Sequence, residues 1–147
     1  MEKKEIVKYF DEIFKPIDFE RRGNSWKHEG KELEKIIHLQ KSRYGNTYYL
    51  NYGFIIKGLE LNNLEMHIYN RLASLDDVEN DRIQKLLNLE SNISVEQRKI
   101  ELTPFIYEHL LVELQSINTK KELLKRLKER PHINDIPLIV KQYFHLD

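Results

Sequence analysis

Six histidines, His28, His38, His67, His109, His132 and His145, are the side chains best suited to acid–base or metal chemistry, because imidazole titrates near neutrality without any perturbation. Their spacing organises little of it. The sequence has no HExxH and no His-x-His, and its one metal-type pair is His109 with Glu113, a helical turn apart. Such a pair is more often a solvated helix face. Oxygen donors also alternate through Asp76-Asp77-Val78-Glu79-Asn80-Asp81, as they do in a calcium loop. Counting from Asp77, however, the sixth and twelfth positions hold Arg82 and Asn88 in place of that loop's glycine and glutamate. The run reads instead as an acidic helix N-terminus complementing the helix dipole. No metal site and no cofactor are expected.

Nucleophilic chemistry has equally little to build on. There is no cysteine, which removes thiolate nucleophiles, thiolate zinc sites and disulfides together, and which favours a reducing, cytoplasmic setting. No GxSxG elbow flanks a serine, and neither GxGxxG nor GxxxxGK[ST] is present to cradle a phosphate. A site assembled from scattered residues is the only enzymatic reading left.

Cations and aromatics do meet in one stretch, at Arg21, Arg22, Trp26, Lys27, Lys41, Arg43, Tyr44, Tyr48 and Tyr49. A sheet face of this composition can stack single-stranded bases. Alternation weakens the case, since Tyr48 falls on the same side as Leu50, Phe54 and Ile56, whereas Tyr49 shares its side with Asn51 and is the better candidate for exposure. Nucleic acid is therefore not the expected partner.

The elements that must hold these residues can be read from periodicity. Ile6, Tyr9, Phe10, Ile13 and Phe14 form one apolar stripe, predicting a helix over 1–15 that Pro16 ends. From there to residue 72 the period is two. Ile37 and Leu39 alternate with Ile36, His38 and Gln40, and Tyr48, Leu50, Tyr52, Phe54 and Ile56 alternate with Tyr49, Asn51, Gly53 and Ile55. Turn residues at Gly23-Asn24, Glu29-Gly30-Lys31 and Tyr44-Gly45-Asn46 predict an antiparallel meander of about four strands across 18–72, the last covering Met66 to Leu72. Helices follow over 76–147. Asp76, Ser94 and Thr119 each stand three residues before Glu or Gln, the spacing of a capping box. Val78, Ile83, Leu86 and Leu87 predict one buried stripe, Ile106, Leu110, Leu114 and Ile117 another, and Ile136, Ile139, Val140 and Tyr143 a third. Pro104 either starts a helix or kinks one. Strands followed by helices predict a single α+β domain with four or five C-terminal helices on one face of the sheet. Trp26 stands seven residues after Phe19, so only a bulge or turn at Gly23 can return it to the face of Phe19, against Phe10 and Phe14.

Phe19-Glu20-Arg21-Arg22-Gly23-Asn24-Ser25-Trp26, Leu39-Gln40-Lys41-Ser42 and Tyr49-Leu50-Asn51-Tyr52-Gly53 resemble the GF-x-R-x-G-x-x-W, LQ-[KR]-S and Y-x-N-x-G strands of the bacterial domain-of-unknown-function family 4304. His67-Ile68-Tyr69-Asn70-Arg71-Leu72 is similar to its HI-x-x-RL element, while Asp18 replaces the glycine before the phenylalanine. The resemblance implies the same fold and no particular catalytic residue. It draws attention to Gln40, Asn51, His67 and Arg71, which alternation places on a common sheet face, with Trp26 nearby. These polar groups form either a hydrogen-bond network holding the strands in register or a ligand site.

The chain carries 24 basic and 24 acidic groups, so no overall field draws it to nucleic acid or an anionic membrane. Its charge is uneven, with 12 basic and 9 acidic groups over 1–58, 5 and 11 over 60–113, and 7 and 4 over 114–147. No apolar run approaches the roughly eighteen residues of a membrane span, and the N-terminus lacks the h-region of a signal peptide. The expected function is a non-enzymatic binding module of the immunity-protein kind, meeting another protein through its acidic middle. The alternatives are a small-molecule binder or enzyme with a pocket at Gln40, Asn51, His67 and Arg71, and a nucleic-acid binder using the basic sheet edge. The binding residues expected are Trp26, Gln40, Tyr49, Asn51, His67 and Arg71.

Overall fold

The computed structural model describes residues 1–146. The fold is α+β, and its centre is a five-stranded antiparallel sheet in the order β1 (Glu20–Arg22), β2 (Ser25–Glu29), β3 (Leu33–Lys41), β4 (Tyr48–Ile56) and β5 (Ile68–Arg71). The expected first strand is thus two. Gly23 adopts φ 59°, a left-handed conformation that favours glycine, and it turns the chain so that Arg21 pairs with Trp26.

That hairpin returns the indole to the core, as the spacing from Phe19 requires. Helix α1 (Lys3–Phe14) buries Ile6, Tyr9, Phe10, Ile13 and Phe14, and Trp26 sits edge-on to two of these rings, 5.7 Å from Phe10 and 5.5 Å from Phe14. The indole N–H donates to Asp11 Oδ1 at 2.9 Å, and Arg21 Nε donates to the same oxygen at 3.0 Å. One carboxylate on the helix therefore ties down both strands of the hairpin.

The helices that follow the sheet are α2 (Asp77–Leu86), α3 (Val95–Phe105), α4 (Val112–Ser116), α5 (Lys120–Lys128) and α6 (Leu138–Phe144). Asp76, Ser94 and Thr119 each accept the backbone N–H three residues on, satisfying amides that would otherwise be orphaned. Pro104 does not start a helix. It lies inside a continuous helical run in which a π-helical stretch, Ile106–Leu111, joins α3 to α4, in keeping with a proline that removes one N–H and crowds the preceding turn. Val78 departs from its expected stripe and is exposed, because α2 buries only Ile83 and Leu86. The acidic Glu101 of α3 is clamped by Arg82 of α2 at 2.7 and 2.6 Å. That pairing, with a further bond from Gln97, holds the Glu101 carboxyl down at about 2.

The core lies between the sheet and the helices, around Trp26, Ile37, Leu39, Leu50, Phe54, Ile56, Leu102, Ile106 and Leu110. Tyr52 extends from β4 to donate to the His109 carbonyl at 3.2 Å, and its burial raises the phenol pKa to about 12. On the opposite face of the sheet, Gly53 is a position where only glycine fits. A Cβ there would run into the Ile68 carbonyl oxygen and come within 2.8 Å of the Met66 sulfur. Gly53→Ala is expected to prise β5 from β4 and lower stability by about 1–3 kcal/mol. A denaturation midpoint equal to the wild type's would show that β5 can give way freely.

Candidate functional site

The register of β3, β4 and β5 decides which polar side chains meet. Gln40 lies opposite Tyr49, His38 opposite Asn51, Asn51 opposite Arg71, and Gly53 opposite Tyr69. Residues directly across an antiparallel ladder point to the same side, so Gln40, Tyr49, Asn51, Tyr69 and Arg71 share the face turned away from the helices. Part of that face is closed, since Ile36, Gly53 and Met66 are buried where the connection from β4 to β5 passes over it. The end carrying Gln40, Tyr69 and Arg71 remains exposed.

Asn51, 1% exposed, is the hub of a hydrogen-bonded cluster. Its Oδ1 accepts from Tyr69 Oη at 2.9 Å and from Arg71 Nε at 3.0 Å, and its Nδ2 donates to Gln40 Oε1 at 2.7 Å. Arg71 Nη2 donates to the Tyr69 hydroxyl at 2.8 Å and to Gln40 Oε1 at 3.2 Å. The guanidinium lies 3.9 Å from the centroid of the Tyr49 ring, a cation–π stack. A long flexible side chain is thereby fixed in one pose at the surface. Arg71 Nη1 and Gln40 Nε2 make no bond among the described residues, so the cluster presents spare donors outward.

Two of the expected site residues belong elsewhere. Trp26 is fully buried on the helix side of the sheet, because its strand partner Ile37 faces the core. His67 precedes β5, and its ring is taken up by the connection around it: Nδ1 accepts the Ile56 N–H at 2.8 Å, and Nε2 donates to the Glu60 carbonyl at 2.7 Å. It is a structural staple with both nitrogens used. The anticipated basic surface is also dispersed. Trp26 and Tyr48 are buried, and Arg21 is held by Asp11.

Tyr69, which reading by residue type passed over, joins the cluster. Its spacing of two from Arg71 was the available signal. Ser25, His38 and Glu65 also converge, with the residue types of a hydrolase triad. Ser25 Oγ at 2.8 Å and Glu65 Oε1 at 3.4 Å nevertheless both contact Nδ1 of His38, so the ring does not lie between nucleophile and acid as a proton relay requires. Glu113, the residue a helical turn from His109, is bound by Arg126 at 3.0 and 2.7 Å. Among the described residues no three His, Asp or Glu side chains form a metal-type group, and no helix is long and apolar enough to cross a membrane.

Cavities of 290 to 560 Å³ open on other parts of the described residues, and Gln40, Tyr49, Asn51 and Arg71 border none of these. His67 and Tyr69 do border one, a cleft of 310 Å³ facing Arg130, Asp135, Ile136 and Pro137. Gln40, Asn51 and Arg71, three of the four residues named for the alternative pocket, thus share an open, pre-organised surface, with His67 apart from it.

The family model described as Domain of unknown function (DUF4304) matches residues 10–116. The chain belongs to that family. No curated protein and no solved structure matches it. The DUF4304 match runs from within α1 through the whole sheet to the end of α4, so it contains every member of the Asn51 cluster, while α5 and α6 lie beyond it.

Proposed function

We propose that this DUF4304 chain is a non-catalytic binding module that docks a protein partner on the open end of its outer sheet face. The observation that carries this reading is the Asn51 cluster. A guanidinium stacked on Tyr49 and bonded to a buried amide costs little further entropy to immobilise on binding. Tyrosine and arginine are also the residue types that dominate protein–protein hot spots. The partner contributes hydrogen-bond acceptors, backbone carbonyls or a carboxylate, to the spare donors of Arg71 and Gln40.

A protein partner is favoured over nucleic acid by charge. The same face carries Glu20, Glu29 and Glu34 alongside Arg22 and Lys27, a mixture that gives no continuous cationic track. The acidic middle enters this reading as a rim. Glu101 and Glu113 are paired internally, but four residues beyond Arg71 the chain exposes Leu75 fully and Val78 largely, beside Asp76 and Asp77.

A photo-crosslinking amino acid at Tyr69 is expected to capture a protein from the native host that the same probe at Ile100, exposed on α3, does not. Arg71→Glu, at an exposed position, should abolish the capture while leaving the fold's circular dichroism intact. Equal crosslinking from both positions, or nucleic acid as the captured species, would overturn the proposal.

A further inference from the structure

Across the β2–β3 ladder His28 lies opposite Lys35, on the side of the sheet that the helices cover. At this corner the cover is incomplete. A cavity of 290 Å³ remains, lined by His28, Lys31, Glu32, Lys35, Asn118 and Thr119 among others. Lys35 is only 7% exposed, and among the described residues its Nζ makes a single hydrogen bond, to Asn118 Oδ1 at 2.7 Å. An ammonium group has three donors to satisfy, and no carboxylate lies in salt-bridge range of this one among the described residues. The nearby acids are occupied at the start of α5. Glu32 accepts from the Lys120 N–H, and Glu122 closes the capping box with Thr119.

The geometry points to Lys35 as a covalent binding site for a small carbonyl compound, held in this cavity as a Schiff base. The Nζ lone pair adds to the carbonyl carbon to give a carbinolamine. A proton passes from nitrogen to the new hydroxyl, water leaves, and a C=N bond forms, with no change of oxidation state. The free amine this needs is favoured at Lys35, because burial lowers its pKa, opposed by the charge of Glu122 on α5. The other titratable groups facing the cavity are His28, Lys31 and Glu32. His28 donates from Nδ1 to the Asp18 carbonyl at 3.2 Å, which fixes its ring at the cavity wall across the ladder from Lys35. Lys31 favours a carbonyl compound carrying a carboxylate.

Reductive trapping tests this on the full chain. With glyoxylate and cyanoborohydride at neutral pH, peptide mapping should find carboxymethylation at Lys35 at least about tenfold faster than at the exposed Lys121 and Lys125. Propanal, which lacks the carboxylate, should react more slowly at Lys35, and Lys35→Arg should remove the fast phase alone. The wild-type map decides the matter even if that variant does not fold. Labelling that is uniform, or that reaches Lys35 only after unfolding in urea, would overturn the assignment.

Discussion

Replacing Arg98 with methionine is expected to lower the stability of the folded chain by about 3–5 kcal/mol, even though the substitution keeps most of the apolar stem. Arg98 is fully buried on α3 and has no carboxylate partner among the described residues. Its Nη1 donates to the carbonyls of Leu86 at 2.6 Å and Asn88 at 3.0 Å, and its Nη2 to those of Ser91 and Ile93 at 3.2 Å each. Leu86 closes α2, so the guanidinium caps that helix from its neighbour and meets the negative end of its dipole. Burial still costs something, since Nε finds no partner among the described residues and desolvation lowers the guanidinium pKa. Methionine would leave several buried carbonyls unsatisfied, each worth about 1–3 kcal/mol. Those carbonyls shape the segment that seats β4, where Tyr48 N–H donates to Leu87 and Leu89 N–H to Asn46. Urea denaturation checks the effect. A midpoint unchanged from wild type would mean that the segment holds its conformation without the arginine.

What the residues disclosed in advance, and what they hid, follows from the kind of signal each carries. Helix starts were legible because capping is local: Asp76, Ser94 and Thr119 act on amides three residues away. The pairing of Gln40, Asn51 and Arg71 on one face was legible because strand alternation survives without knowing the register. His67 broke that reasoning, since alternation holds only inside a strand and β5 begins one residue later. Lys35 and Arg98 were hidden for another reason. Both lie on buried faces, Lys35 between Leu33 and Ile37 and Arg98 four residues before Leu102. A charged residue at such a position is ordinarily read as an interruption of the apolar pattern, when here Lys35 bonds the far-off Asn118 and Arg98 the carbonyls of the segment leading into its own helix. The extra strand was hidden because a left-handed glycine at Gly23 suits a bulge as well as a hairpin.

Trp26→Ala is expected to cost about 3–5 kcal/mol, the range for deleting a buried aromatic ring, and to have consequences beyond the cavity it leaves. The indole has no exposed surface and is the largest fully buried side chain. It joins α1 to the sheet through edge contacts with Phe10 and Phe14. Its N–H also meets one of the bonding needs of Asp11, a carboxylate shared with Arg21 and, at 3.4 Å, Lys15. Loss of the ring therefore removes packing and weakens the tie between α1 and the β1–β2 hairpin at once. Trp26→Phe separates the two effects: it retains much of the ring and deletes the N–H, and should recover more than half of the lost stability if packing dominates. The Asn51 cluster lies on the far side of the sheet, so binding through Arg71 and Tyr69 should persist in Trp26→Phe wherever the chain is folded. A partner lost in Trp26→Phe but retained in Arg71→Glu would move the interaction surface to the α1 side of the molecule.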